Sequence, residues 1–171
     1  RSSDLELIER ELNRLTKLMD LSITIVHNQN ASTGQASSVR LALESLDNSF
    51  DLVAMCLSDQ PQIGEDELIA LLNQFVDREP HQDVVMPIVS GQRGNPALFS
   101  KKAVEEMLQI PGMVCRSFMD KNPNRIKICC PIKSNIKCKR HCNATTCNSN
   151  IICFFIMFNK QQQNCCDKRN R

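Results

Sequence analysis

Asp59 is the residue in this chain best placed to do chemistry. It stands in the stretch "LVAMCLSDQPQI", after an apolar run ending at Leu57 and shortly before Pro61. An apolar run without alternation reads as a strand covered on both faces. The proline disfavours helical backbone at Gln60 and turns the chain off the strand line. A carboxylate held at such a bend is a hard oxygen ligand, suited to Mg²⁺ carrying substrate phosphates. The same spacing also suits an aspartate that only opens a turn or caps the next helix.

Other reactive side chains point less clearly. Cys56 lies inside the apolar run and reads as a small core hydrophobe. Cys115 has no neighbouring pattern that marks a nucleophile with its base. Near the C-terminus, Cys138, His141, Cys142 and Cys147 are close enough in sequence to share a zinc ion. They lack the paired C-x2-C modules of zinc-binding domains.

The elements around these residues fall into two unlike parts. Residues 1–126 carry 18 acidic and 12 basic side chains, and residues 127–171 carry 1 and 9. The net charges, −6 and +8, are therefore opposite, and eight of the ten cysteines lie from Cys129 onward. The basic part suggests nucleic acid as a partner, but it has neither Trp nor Tyr for base stacking and no recognisable module. Nucleic-acid binding is therefore not expected. The other reading of residues 127–171 is a stretch not selected as protein, such as a frameshift or read-through product. It would then be irregular. No run of residues is long and apolar enough to cross a membrane, and the N-terminus has no apolar signal-peptide core. A cytoplasmic location without membrane contact is expected.

Within the first 126 residues, "DLELIERELNRLTKLM" sets Leu5, Ile8, Leu12, Leu15 and Leu18 at helical spacing. "LSITIVHN" is β-branched and reads as a strand. "QNASTGQAS" reads as a loop, and "SSVRLALESL" as a helix with Ser37 or Ser38 as its N-cap. "GEDELIALLNQFV" is a further helix whose early acids suit the helix dipole. "DVVMPIV" is a strand, "SGQRGNP" a turn, "ALFS" a short strand, and "KKAVEEML" and Val114–Asp120 are helices. This alternation predicts an α/β, Rossmann-like domain with a mainly parallel sheet and helices on both faces. In such folds ligands bind beyond the carboxyl ends of the strands, where Asp59 would lie.

Three ordered segments, "HNQNASTGQASSVRLAL", "LSDQPQIGEDEL" and "GQRGNPALFSKKAVEEML", together with "PGMVCRSFM", resemble the MobA-like nucleotidyltransferase family. The similarity is greatest to its molybdenum-cofactor cytidylyltransferase branch. The resemblance implies Mg²⁺-dependent transfer of CMP or GMP from CTP or GTP to a pterin phosphate, with pyrophosphate leaving. A sugar phosphate is the alternative acceptor. A non-catalytic zinc- or nucleic-acid-binding protein acting through the cysteine-rich segment is the alternative of another class.

Residue by residue, the resemblance makes Asp59 the Mg²⁺ ligand and sets Asn28 near the nucleotide. It places Gly34 and Ser38 where backbone N–H groups face phosphate. Gly94, Asn95 and Pro96 shape the acceptor side, with Asn95 standing where many relatives have His. Arg116 either pairs with a phosphate through its planar fork or serves as a surface or helix-capping arginine. The family's opening Gly-rich turn and its terminal acid have no counterpart here. Residues 1–126 thus read as a partial domain, expected not to turn over a triphosphate alone, and 127–171 as a basic tail.

Overall fold

The structure is a computed structural model that describes residues 2–19, 23–47, 49–57, 60, 63–89, 91–129 and 153–157, with side chains excluded for 2–5, 19 and 153–157. Among the described residues the α-helices are α1 (Ser2–Met19), α2 (Gln35–Glu44), α3 (Glu65–Val76), α4 (Lys101–Gln109) and α5 (Cys115–Lys121). The strands are β1 (Leu52–Leu57), β2 (Val84–Val89), β3 (Gln92–Arg93), β4 (Ala97–Ser100), β5 (Ile126–Cys129) and β6 (Cys153–Met157). The sheet order is β3-β2-β4-β1-β6, and β5 also pairs with β2.

The expected α/β class holds, but the sheet is mixed rather than mainly parallel. β4 lies between β1 and β2 and runs antiparallel to both. β3 folds back antiparallel on β2 through the turn around Gly91. The parallel pairs are β1 with β6 and β2 with β5. A four-residue strand such as "ALFS" carries no direction of its own, so its partners decide it.

Side chains alternate across the strands with the period of two that a pleated sheet imposes. Val53, Met55, Val84, Met86, Ala97 and Phe99 face α2, α4 and α5, where they meet Val39, Leu43, Val104, Met107 and Phe118. Leu52, Ala54, Val85 and Leu98 face the other way and bury Leu71 and Phe75 of α3. Helices therefore flank both faces, and β1 and β2 are apolar where both faces are covered, over Leu52–Met55 and Val84–Pro87, while Val89 at the end of β2 is half exposed.

Local chemistry sets the helix starts. Ser100 Oγ accepts from Ala103 N at 3.1 Å to begin α4 and donates to the buried Asp83 at 2.8 Å. Asp83 is also gripped by Arg125 Nε at 2.7 Å. Glu67 reaches back to Gly64 N at 2.9 Å at the start of α3.

Further expectations need correction. Residues 23–28 of the expected strand "LSITIVHN" form no strand. β-Branched composition favours extended backbone but supplies no partner, and both edges of β1 are occupied by β4 and β6. The N-cap of α2 is Gly34, not Ser37 or Ser38, which lie inside the first turns. Leu18 is 67 % exposed, so the apolar stripe of α1 does not bury throughout. Of residues 127–171, expected to be irregular, 127–129 lie in β5 and 153–157 form β6, and the others lie outside the described residues, so that expectation is not among the corrections. Cys138, His141, Cys142 and Cys147 lie outside the described residues. Among the described residues no helix is long and apolar enough to cross a membrane.

Candidate functional site

The exit of β1 and the entry of β4 share one end of the sheet. Their antiparallel register pairs Met55 with Ala97 and Leu52 with Ser100. Continuing it past Ala97 carries Leu57, the last residue of β1, toward Asn95. β2 leaves at the same end, because Val84 pairs with Phe99 and Val85 with Leu98. The carboxyl ends of β1 and β2 and the amino end of β4 thus face one side, where open α/β sheets take ligands. Asp59 itself lies outside the described residues.

Gln60, the residue after it, was not singled out from sequence. Its backbone oxygen accepts from Ile63 N at 3.1 Å, closing a turn. Its Oε1 is buried and has no hydrogen-bond partner among the described residues. A buried acceptor without a donor costs about 1–3 kcal/mol, so a donor from beyond the described residues would be favourable there. The only prior signal was its place between Asp59 and Pro61.

Asn28, Gly34 and Ser38 form one unit. Asn28 Nδ2 donates to Ser37 Oγ and to Ser38 Oγ, each at 2.8 Å. Asn28 Oδ1 accepts from Asn30 N at 2.9 Å, an Asx turn that shapes the loop. Ser37 Oγ donates to Gly34 O at 2.8 Å. Gly34 has φ +115° and open space around its α-carbon, so the left-handed backbone and not crowding calls for glycine. Neither a side-chain cap nor an acidic residue occupies the first turn of α2. Ser37 N donates to Gly34 O at 3.3 Å, which leaves the amides of Gln35 and Ala36 as the orphans of that turn.

Gly94, Asn95 and Pro96 lie on the return of the β2–β3 hairpin. Gly94 N donates to Pro87 O at 2.8 Å. A β-carbon on Gly94 would stand 3.1 Å from Pro87 Cγ, 3.2 Å from Val89 Cγ2 and 3.3 Å from Pro87 O. Glycine is needed here for close backbone approach. The Asn95–Pro96 peptide is cis. Pro96 is fully buried, so it acts on the site only through the backbone it fixes. Asn95 is partly exposed.

Arg116 is exposed in the first turn of α5. Four positions on, Asp120 pairs with Arg93 of β3. Residues four apart share a helix face, so Arg116 and the hairpin stand on one side of α5. Arg40 of α2, a second residue not singled out from sequence, binds backbone carbonyls at the end of α4 and in the turn before α5. α2, which follows the Asn28 loop, is thus tied to the turn before α5, and α5 is tied to the hairpin of Gly94.

The cysteines take no part in this arrangement. Burial pushes the Cys115 thiol up to about 12 and raises that of Cys56. Both stay protonated, as weak nucleophiles. Among the described residues no three His, Cys, Asp or Glu side chains form a group able to hold a metal ion. Mg²⁺ needs no such cage, since it uses one or two carboxylates and completes its shell with phosphate and water.

Comparison with known protein families matches residues 7–125 to the MobA-like NTP transferase domain. Comparison with curated proteins returned no match.

Proposed function

This chain belongs to the MobA-like NTP transferase domain family, and we propose that its crevice serves Mg²⁺-dependent transfer of CMP or GMP from CTP or GTP to a molybdopterin-type phosphate. The observation that supports this reading is the β1–β4 register, which pairs Met55 with Ala97 and so brings the end of β1 at Leu57 and the start of β4 to the same end of the sheet.

Nucleotidyl transfer asks a protein mainly for in-line positioning and for neutralisation of growing charge. In this reading Asp59 holds Mg²⁺, which supplies positive charge beside the phosphates. The open first-turn amides of α2 bind and orient phosphate oxygens. Asn28 keeps that loop in shape through Ser37 and Ser38. Gly94 lets the hairpin close tightly, and Asn95 offers an amide to the acceptor. Arg116 binds the acceptor phosphate through its planar fork. No serine or cysteine nucleophile enters, consistent with the protonated thiols of Cys56 and Cys115. A cytoplasmic setting, where both substrates would be met, belongs to the same proposal.

Isothermal titration with the Mg²⁺ complexes of CTP, GTP, ATP and UTP tests the nucleotide assignment. The reading expects CTP or GTP to bind about tenfold tighter than the others, a difference of about 1.4 kcal/mol. Equal binding of all four, or no binding, would overturn it.

A further inference from the structure

We infer that Arg40 is a positioning residue that sets Arg116 against the Asn28–Ser38 loop, and thereby fixes affinity for the acceptor phosphate without touching either substrate. This rests on the transferase reading given above.

The geometry is specific. Arg40 Nη1 donates to Met107 O at 2.8 Å, to Ile110 O at 3.0 Å and to Met113 O at 3.3 Å. Nη2 donates to Leu108 O at 2.7 Å. The side chain is only 20 % exposed, and its Nε also pairs with Glu44. One guanidinium therefore binds the last turn of α4 and the turn that leads into α5. Met107 O also accepts from Ile110 N at 3.3 Å and Ile110 O from Met113 N at 3.1 Å, so Arg40 adds to the bonds of the helix end and of the turn. α4 has no basic residue in its own last turn, so α2 supplies the cation that the negative end of that helix favours.

The two sides of the crevice meet through this contact. Arg40 lies two residues after Ser38, which Asn28 holds. Met113, whose carbonyl Arg40 holds, lies three residues before Arg116. The turn between α4 and α5 contains Gly112 at φ +70°, and Arg40 binds two of its carbonyls, those of Ile110 and Met113. Lysine keeps the charge but cannot span four carbonyls, because its ammonium is a single point of donation.

Four variants, Arg40→Lys, Arg40→Ala, Arg116→Ala and Arg40→Lys/Arg116→Ala, test this in the full chain. The probes are inorganic phosphate and the Mg²⁺ complexes of CTP and GTP, with hydrogen exchange read over residues 110–117. The expected result is that Arg40→Lys binds nucleotide within about twofold of the parent and phosphate about tenfold more weakly. Exchange over 110–117 rises, and the double variant binds phosphate no more weakly than Arg116→Ala, because coupled residues are not additive. Phosphate binding unchanged in Arg40→Lys, or additive losses in the double variant, would overturn the inference while nucleotide binding leaves the transferase reading standing. A parent protein that binds neither probe overturns both. Should the Arg40 variants fail to fold, exchange in the parent decides: slowing over 110–117 on adding phosphate supports the inference, and no change contradicts it.

Discussion

Met55 lies opposite Ala97 in the antiparallel pair of β1 and β4. That pairing fixes which end of the sheet β1 leaves by. Because β4 runs against β1, the hairpin return Gly94-Asn95-Pro96 arrives at the end where β1 leaves. A parallel neighbour would have brought its carboxyl end there instead, without the hairpin that precedes β4.

The hairpin depends on a missing side chain. Gly94→Ala sets a methyl 3.1 Å from Pro87 Cγ and 3.3 Å from Pro87 O. The carbonyl belongs to β2 and cannot yield without shifting the strand. Overpacking of this kind typically costs about 1–3 kcal/mol. Urea denaturation of the variant should show a loss in that range. Unchanged stability would mean that the hairpin relaxes freely.

Asn28 should matter through shape. Asn28→Ala removes the two donations to Ser37 and Ser38 and the Asx turn to Asn30. At about 1 kcal/mol for a net hydrogen bond, a loss of about 1–2 kcal/mol in stability is expected. Nucleotide binding should weaken further, because the first turn of α2 loses its fixed loop. Calorimetry of unfolding and of binding on the same variant separates the two effects.

Cys115 gives a pH-dependent prediction. Burial raises its thiol from 9.0 to about 12. A raised value means that the folded state holds the proton more tightly than the unfolded state. The associated stability is complete below about pH 9 and is lost as pH rises toward 12. Cys115→Ser should flatten that alkaline decline. In the parent at pH 8, alkylation of Cys115 should proceed only after unfolding, as mass spectrometry of the labelled peptide would show.

Much of the helical framework was legible in the residues themselves. α3 and α4 carry apolar positions at helical spacing between clear start signals, and β1 and β2 are unbroken apolar runs. The direction of "ALFS" was not legible, since four apolar residues serve either orientation. "ITIVHN" misled because extended propensity does not provide a hydrogen-bonding edge. At the candidate site, Asn28, Gly34 and Ser38 were legible as neighbours in sequence, and the structure joins them by hydrogen bonds. Arg40 was not, because its acceptors are backbone carbonyls 67 to 73 positions away, and no side-chain type signals such a partner. Gln60 escaped notice because an unpaired oxygen is visible only once burial is known.

The central claim is that the end of β1 presents a carboxylate that holds Mg²⁺ for a nucleoside triphosphate. The most direct measurement is calorimetric binding of CTP and GTP to the parent and to Asp59→Asn, each with Mg²⁺ and with EDTA. The account predicts Mg²⁺-dependent binding by the parent and at least a tenfold loss in Asp59→Asn, about 1.4 kcal/mol or more. Equal affinity in parent and variant, or binding indifferent to Mg²⁺, would contradict it.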